Sequence, residues 1–198
     1  MRRWVCVYGA GTYSVEFDIT KSQYYGLLPS VMSLDLLPYY STIDDVVVKD
    51  IAEQLNRQLE GERVRKKANV LLAMVQQNVK YVSDEERFDG RDVWETPAYV
   101  LEHGVADCDG SADLFVSIAH NMGLDVVCVV IEGHMCAGVN IPGGHGKPYM
   151  FEGREYWHME TTDDLAGVGR FWGEKQRTLK IVKAEIPNSE FKAMLISE

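Results

Sequence analysis

Three side chains in the second half of this 198-residue chain have the types and the order needed for nucleophilic catalysis by a thiol. Cys108 precedes an apolar pattern of helical period, His134 begins a strand-like segment, and Glu160 ends a later one. A thiol nucleophile needs a base to take its proton and a third group to orient that base. The order therefore allows Cys108 as nucleophile, His134 as general base and Glu160 as orienting acid.

The position of Cys108 at a helix start favours a reactive sulfur. The helical pattern runs from Asp109 to Met122, so the thiol is expected beside the unpaired N–H groups of the first turn, where partial positive charge favours a thiolate. The other cysteines, Cys6, Cys128 and Cys136, lie in apolar, strand-like surroundings typical of buried thiols.

The elements that must position these residues follow from local patterns. Thr96 resembles an N-cap with Pro97 at the first helical position, and Gly104 is expected to end that short helix. Val126 to Glu132 is nearly continuously apolar, as a central strand would be. Further strands are expected over His134 to Ile141, Tyr149 to Glu152, Glu155 to Met159, and Thr178 to Ala184, the last at a sheet edge.

The first half of the chain predicts a hairpin followed by helices. Ser41 with Asp44 resembles a capping box for a helix that ends at Gly61, and a second helix is expected from about Glu62 to Lys80. The other expected segments are a hairpin of Arg3 to Tyr8 and Tyr13 to Ile19, little regular structure over Thr20 to Tyr40, a loop over Tyr81 to Arg91, and a polar connection over Thr162 to Gly173.

The motif around Cys108 resembles the transglutaminase-like superfamily, and in particular its bacterial cysteine-proteinase branch. The matching residues run from about Val75 to Thr162 and include Asp92-Val93-Trp94-Glu95-Thr96-Pro97, Leu101, Gly104, Asp107-Cys108-Asp109 and Trp157-His158-Met159-Glu160-Thr161. The resemblance implies an α+β, papain-like core in which a Cys-bearing helix packs on an antiparallel sheet carrying His and acid. The chain length predicts most simply one domain over 1–198, with 1–74 as strands and helices packed on the core, and leaves two small domains as an alternative.

Carried over residue by residue, the resemblance assigns Cys108 as nucleophile, His134 as general base and Glu160 as orienting acid. Two positions depart from the family pattern: Ala106 stands where Gly is usual, and Glu160 stands where Asp predominates. Glu is one methylene longer, so it must reach the imidazole through a different rotamer or backbone offset. The oxyanion is expected to bind the Cys108 backbone N–H and one side-chain donor, for which Trp94 is the choice.

Several residues compete for these roles. Gln76 and Gln77 are rival oxyanion donors, and His158, which alternation places on the same strand face as Glu160, is a rival base. Asp163 and Asp164 are rival acids if the strand ends later. The remaining histidines have simpler interpretations: His103 and His120 as helix-surface residues, and His145 as a loop residue.

Composition limits the partners and the compartment. Thirty acidic against 20 basic residues give a net charge of −10, which argues against a broad nucleic-acid surface. No stretch approaches the roughly 20 apolar residues that span a bilayer. Cysteines without paired metal-finger spacing predict a reducing, cytoplasmic location, no cofactor and no metal site. Oligomeric state leaves no mark in the sequence.

The leading functional hypothesis is a thiol hydrolase that cleaves a peptide or isopeptide bond in a protein or peptide substrate. One alternative is a transglutaminase that uses the same triad to join a protein glutamine to an amine. A catalytically silent binding or structural module with the same fold is the other alternative.

Overall fold

The computed structural model describes residues 1–31, 34–144, 148–163, 177–189 and 191, which form an α+β fold as the sequence predicted. In these residues the helices are α1 (Leu37–Tyr40), α2 (Val46–Gln58), α3 (Val64–Asn78), α4 (Asp84–Arg87), α5 (Pro97–His103) and α6 (Cys108–Asn121). The strands are β1 (Arg2–Tyr8), β2 (Gly11–Phe17), β3 (Ser30–Val31), β4 (Lys80–Tyr81), β5 (Val93–Trp94), β6 (Val105–Ala106), β7 (Val126–Ile131), β8 (His134–Val139), β9 (Tyr149–Phe151), β10 (Arg154–Met159) and β11 (Thr178–Val182).

An antiparallel sheet with strand order β11-β7-β8-β10-β9 forms the centre of the fold. Every residue of β7 is buried, which confirms the central strand expected from its continuous apolar run. The tight β7–β8 turn pairs Ile131 with His134, so His134 begins β8 at the turn end of the sheet. The late strand β11 lies at the sheet edge, as predicted.

Helix α6 packs on this sheet and carries Cys108 as its first residue. The Asp107 side chain caps the helix: its Oδ1 accepts from the backbone N–H of Asp109 (3.0 Å) and of Gly110 (3.4 Å). The confirmed arrangement is a Cys-bearing helix on an antiparallel sheet, with His134 at the start of β8 and Glu160 directly after β10.

The short helix α5 starts and ends where local chemistry predicted. Thr96 Oγ1 accepts from the Tyr99 backbone N–H at 3.4 Å, and Pro97 occupies the first turn. Gly104 adopts a left-handed conformation (φ 69°) that residues with a Cβ rarely tolerate, and the helix stops there.

The predicted start of α2 was wrong. Asp45 is the N-cap, with its Oδ1 accepting from Val47 N at 2.7 Å and Val48 N at 3.4 Å. Ser41 is buried and instead donates to the carboxylate of Asp113 in α6 at 2.7 Å. The Ser41 hydroxyl, which the local pattern assigned to a helix cap, therefore bonds a carboxylate that lies 72 residues further along the chain.

Three other segments differ from the prediction or fall partly outside the described residues. The expected loop over Tyr81 to Arg91 contains α4, whose Arg87 pairs with Glu95. Thr20 to Tyr40 holds short elements, including β3 and α1. In the expected connection over Thr162 to Gly173, the structure describes residues only as far as 163. The rival acid Asp164 and the loop residue His145 therefore lie outside the described part of the chain.

The N-terminal hairpin β1–β2 forms in the predicted place and lies between α2 and α3. Side-chain amides of both helices bond the outward-facing backbone of the hairpin strands. Within the described ranges, the helices are all too short or too polar to cross a membrane.

Candidate active site

Cys108 is the one cysteine of four whose side chain is partly exposed, since Cys6, Cys128 and Cys136 are buried. The backbone N–H of Met135, the second residue of β8, is near enough to the sulfur to lower the pKa of the thiol. The start of α6 and the start of β8 therefore meet at the sulfur. This contact places Cys108 beside the residue that follows His134 in the chain.

The electrostatic surroundings of Cys108 differ from those that the sequence predicted. Burial, followed by the Asp107 carboxylate, raises the pKa of the Cys108 thiol above its ordinary value, and the N–H groups of Met135 and of Cys108 itself oppose this only in part. The N–H groups of Asp109 and Gly110 were expected to be unpaired, but they bond Asp107. The helix start alone therefore does not make a thiolate, which requires a cation beside the sulfur.

His134 and Glu160 are joined by a hydrogen bond between His134 Nε2 and Glu160 Oε2 at 2.9 Å. Their strands β8 and β10 are neighbours in the sheet, so residues at the start of one and just past the end of the other are adjacent. Since Nε2 faces the carboxylate, Nδ1 is the ring nitrogen on which His134 can accept a further proton.

The Glu160 carboxylate is bonded at both oxygens. Oε1 accepts from the Thr162 backbone N–H (3.1 Å) and hydroxyl (2.7 Å), while His158 Nε2 lies 3.4 Å from Oε2. Burial by itself would raise the pKa of Glu160, but hydrogen bonds from His134, His158 and Thr162 outweigh it and hold that pKa well below its usual range. Glu160 is consequently an anion that can orient and stabilise an imidazolium.

The rivals for these roles have other partners. His158 is buried, and its Nδ1 lies 3.0 Å from the Tyr149 hydroxyl. Gln76 donates to the carbonyls of Glu160 (2.8 Å) and Asp163, and Gln77 bonds Val7. The amides of both glutamines thus hold backbone in place.

Trp94, the predicted oxyanion donor, is fully buried in β5 and stacks on Tyr40 with ring centroids 5.5 Å apart. Its indole Nε1 has no hydrogen-bond partner among the residues that the structure describes. The adjacent Glu95 side chain lies against Gly110, two residues after Cys108, because a Cβ at Gly110 would come within 2.7 Å of Glu95 Oε2. This contact brings the Trp94 segment to the first turn of α6.

A group of acids lies behind this turn. Asp84, Glu95 and Asp107 each place one carboxylate oxygen within 4.8 Å of the others, which is the one set of potential metal ligands within the described ranges. Arg87 is paired with Glu95 and supplies a positive charge there. Burial raises the pKa of Asp84 to about 6 and that of Glu95 to about 7. The three oxygens are ligands that a hard divalent cation accepts.

Tyr149, Thr162 and Tyr81 were missed by sequence reasoning. Tyr81 is about half exposed in β4; the burial of the rest of its side chain, followed by the charges of Cys108 and Asp107, raises the pKa of its hydroxyl. The sequence holds one signal for the surroundings of Glu160: alternation along β10 places His158 and Glu160 on the same face of the strand. His103 and His120 are exposed on their helices, as predicted.

Comparison with known proteins gives a likeness in structure at low sequence identity. No family model and no curated protein matches the sequence. Among solved structures, a candidate cysteine protease from Cytophaga hutchinsonii matches with a TM-score of 0.45 and 12% sequence identity. The match covers 86% of this chain and 61% of that protein, so the chain spans less than two thirds of its length.

Proposed function

We propose that this protein is a thiol hydrolase that cleaves a peptide or isopeptide bond through Cys108, His134 and Glu160. The observation that carries the proposal is the 2.9 Å hydrogen bond between His134 and an ionised Glu160, at the start of a strand whose next N–H contacts the Cys108 sulfur. The motif around Cys108, which resembles the transglutaminase-like cysteine proteinases, supports the same assignment.

The chemistry begins with the proton of the Cys108 thiol. His134 accepts it on Nδ1 while Glu160, bonded to Nε2, stabilises the resulting imidazolium. This cation offsets the burial and the Asp107 charge that keep the thiol protonated. The thiolate attacks the substrate carbonyl, His134 returns the proton to the leaving amine, and water then releases the acyl group from the sulfur.

The tetrahedral intermediate needs donors for its oxyanion. The backbone N–H of Cys108 is one; the indole N–H of Trp94 lacks a partner within the described residues but is fully buried, so it serves as the other only where substrate binding uncovers it. A donor without a partner costs free energy in the folded protein, so a substrate oxygen that satisfies it binds favourably.

A protein with three further free and buried cysteines suits a reducing compartment such as the cytoplasm.

The test is the pH profile for alkylation of Cys108 by iodoacetamide, followed by mass spectrometry of each cysteine-containing peptide. His134→Gln should slow alkylation at mildly acidic pH by about tenfold or more, because the imidazolium that sustains the thiolate is lost. The matched control is His103→Gln, which changes an exposed histidine that bonds the Tyr99 carbonyl of its own helix.

Cleavage of a peptide library by the wild-type protein, and its loss in Cys108→Ala, would then identify the bond. Equal alkylation profiles for the wild type and His134→Gln would overturn the proposal.

One observation favours a second candidate, a catalytically silent module that keeps the fold. Burial and Asp107 both raise the pKa of the Cys108 thiol, which is the opposite of what an activated nucleophile needs. In that case Cys108 should react only as pH approaches the alkaline range, and Cys108→Ala should leave the biological activity unchanged.

A further inference from the structure

His158 lies between two polar side chains, on the face of β10 that alternation also gives to Glu160. Its Nδ1 lies 3.0 Å from the Tyr149 hydroxyl, and its Nε2 lies 3.4 Å from Glu160 Oε2. The ring is buried with only 5% of its side chain exposed. Both ring nitrogens thus face a protein partner, and neither faces solvent as a proton-transfer group would.

The Glu160 side chain needs several contacts to hold its carboxylate in one orientation, because it is longer than that of aspartate. A glutamate has one more rotatable bond than an aspartate, so holding its carboxylate in one orientation costs more conformational entropy. The hydrogen bond to His134 fixes only one oxygen, and Thr162 holds the other from the chain that follows. A second contact on Oε2 restricts rotation about the terminal bond.

His158 is itself held by the strand next to β10. Tyr149 begins β9, and its hydroxyl bridges His158 Nδ1 and the sulfur of Cys136, 3.7 Å away. If the tyrosine hydroxyl donates to Nδ1, the proton of the neutral imidazole lies on Nε2 and points at Glu160. Among the residues that the structure describes, the titratable groups that face His158 are Tyr149, Glu160 and, through Glu160, His134.

We propose that His158 is a positioning residue that fixes the Glu160 carboxylate so that His134 is oriented toward Cys108. The inference rests on the proposed function, since it assigns the support for the same three residues. His158 acts through Glu160 and takes no proton from the thiol. The Tyr149–His158 pair thereby compensates for the glutamate that stands where the transglutaminase-like pattern has aspartate.

The experiment compares three variants in the alkylation assay for Cys108. His158→Met removes the donor at similar volume and should slow alkylation at mildly acidic pH by about tenfold, below the roughly hundredfold that a full ångström of misplacement can cost. His158→Gln, whose amide can reach the same carboxylate, should restore at least half of the wild-type rate. Tyr149→Phe should lower the rate by a smaller factor, because the ring remains.

A double variant separates positioning from general destabilisation. In the His134→Gln background, His158→Met should have no further effect on alkylation, because the group that it positions is gone. Equal losses in both backgrounds would show that His158 acts only on the structure and would overturn the inference. So would a wild-type profile for both His158→Met and Tyr149→Phe.

The outcomes also distinguish the inference from the proposed function. If His134→Gln alone leaves the alkylation profile unchanged, the proposed function fails. If His134→Gln slows alkylation while His158→Met and Tyr149→Phe do not, only the positioning role of His158 fails. Should His158→Met not fold, Tyr149→Phe decides, because a wild-type alkylation profile for that variant would overturn the inference.

Discussion

The pKa values of the buried carboxyl groups in this chain depend on the hydrogen-bond donors that reach each group. Glu160 accepts from His134 and Thr162 and lies 3.4 Å from His158 Nε2, and its pKa is lowered despite burial. Asp84, Glu95 and Asp113 are buried with an oxygen that has no partner among the described residues, and burial raises their pKa values to about 6, 7 and 7. The donors that reach each carboxyl group therefore decide how far burial raises its pKa.

The raised pKa of Asp113 should have a measurable effect on the stability of the protein. Burial raises its pKa from 3.8 to about 7 against the opposing bonds from Ser41 and Cys128. Between these values the folded protein binds the proton more tightly than the unfolded chain, so the free energy of unfolding should fall as pH rises from about 4 to about 7. Asp113→Asn should reduce that slope by up to about 1.4 kcal/mol per pH unit, as measured by urea unfolding at a series of pH values.

The asparagine can still accept from Ser41 and Cys128, so the comparison isolates the titration. An unchanged slope in Asp113→Asn would contradict the assignment.

At the scale of elements, the first turn of α6 is constrained by the segment that precedes α5. Gly110 lies so close to Glu95 that an added Cβ would meet Glu95 Oε2 at 2.7 Å and the Ala106 Cβ at 3.1 Å. Glu95 cannot withdraw freely, because it is fully buried and paired with Arg87. This contact couples the sulfur-bearing turn to α4 and β5.

Gly110→Ala tests the coupling. The substitution should gain about 1 kcal/mol of helix propensity, yet the crowding should outweigh it and lower the free energy of unfolding by about 1–2 kcal/mol. Ser117→Ala is the matched control in the same helix. It removes a buried hydroxyl that lacks a partner in the described part of the chain and should leave stability unchanged or raised.

Urea unfolding monitored by circular dichroism gives both values. If Gly110→Ala were as stable as the wild type, Glu95 would have to move without cost, and the coupling would not exist.

At the scale of the whole molecule, the N-terminal hairpin is joined to the core by amide side chains that act as neighbouring strands would. Gln77 and Asn78 of α3 each bond both the N–H and the carbonyl of one β1 residue, Val7 and Val5. On the other edge, Gln54 and Gln58 of α2 do the same for Glu16 and Ser14. Both exposed edges are thereby paired.

We expect the hairpin and the sheet to unfold together as one domain. Replacing Gln54 and Gln58 by alanine should lower the free energy of unfolding by about 1–2 kcal/mol, since two pairs of exposed hydrogen bonds are lost. Glu53→Ala, on the same helix and exposed, is the control. Tryptophan fluorescence, which includes Trp4 of β1, and far-ultraviolet circular dichroism should give coincident transitions. Separate transitions would show that 1–74 is an independent unit.

Local chemistry in the sequence was sufficient for much of the fold. Thr96, Pro97 and Gly104 bound α5 because capping and backbone freedom depend on a few neighbouring atoms. The unbroken apolar run of β7 and the alternation in β10 likewise identified a buried strand and the shared face of His158 and Glu160. The order of Cys108, His134 and Glu160 also indicated which groups to look for.

Contacts between distant residues decided the rest, because burial and partners are properties of the folded chain. Ser41 serves Asp113 rather than a helix cap, and Glu160 is held by Thr162 and His158 as well as by His134. The charge state of Cys108 depends on burial, on Asp107 and on the N–H of Met135 across the sheet. Sequence determined which groups can react, whereas tertiary structure decided their desolvation and hydrogen bonds, which govern protonation.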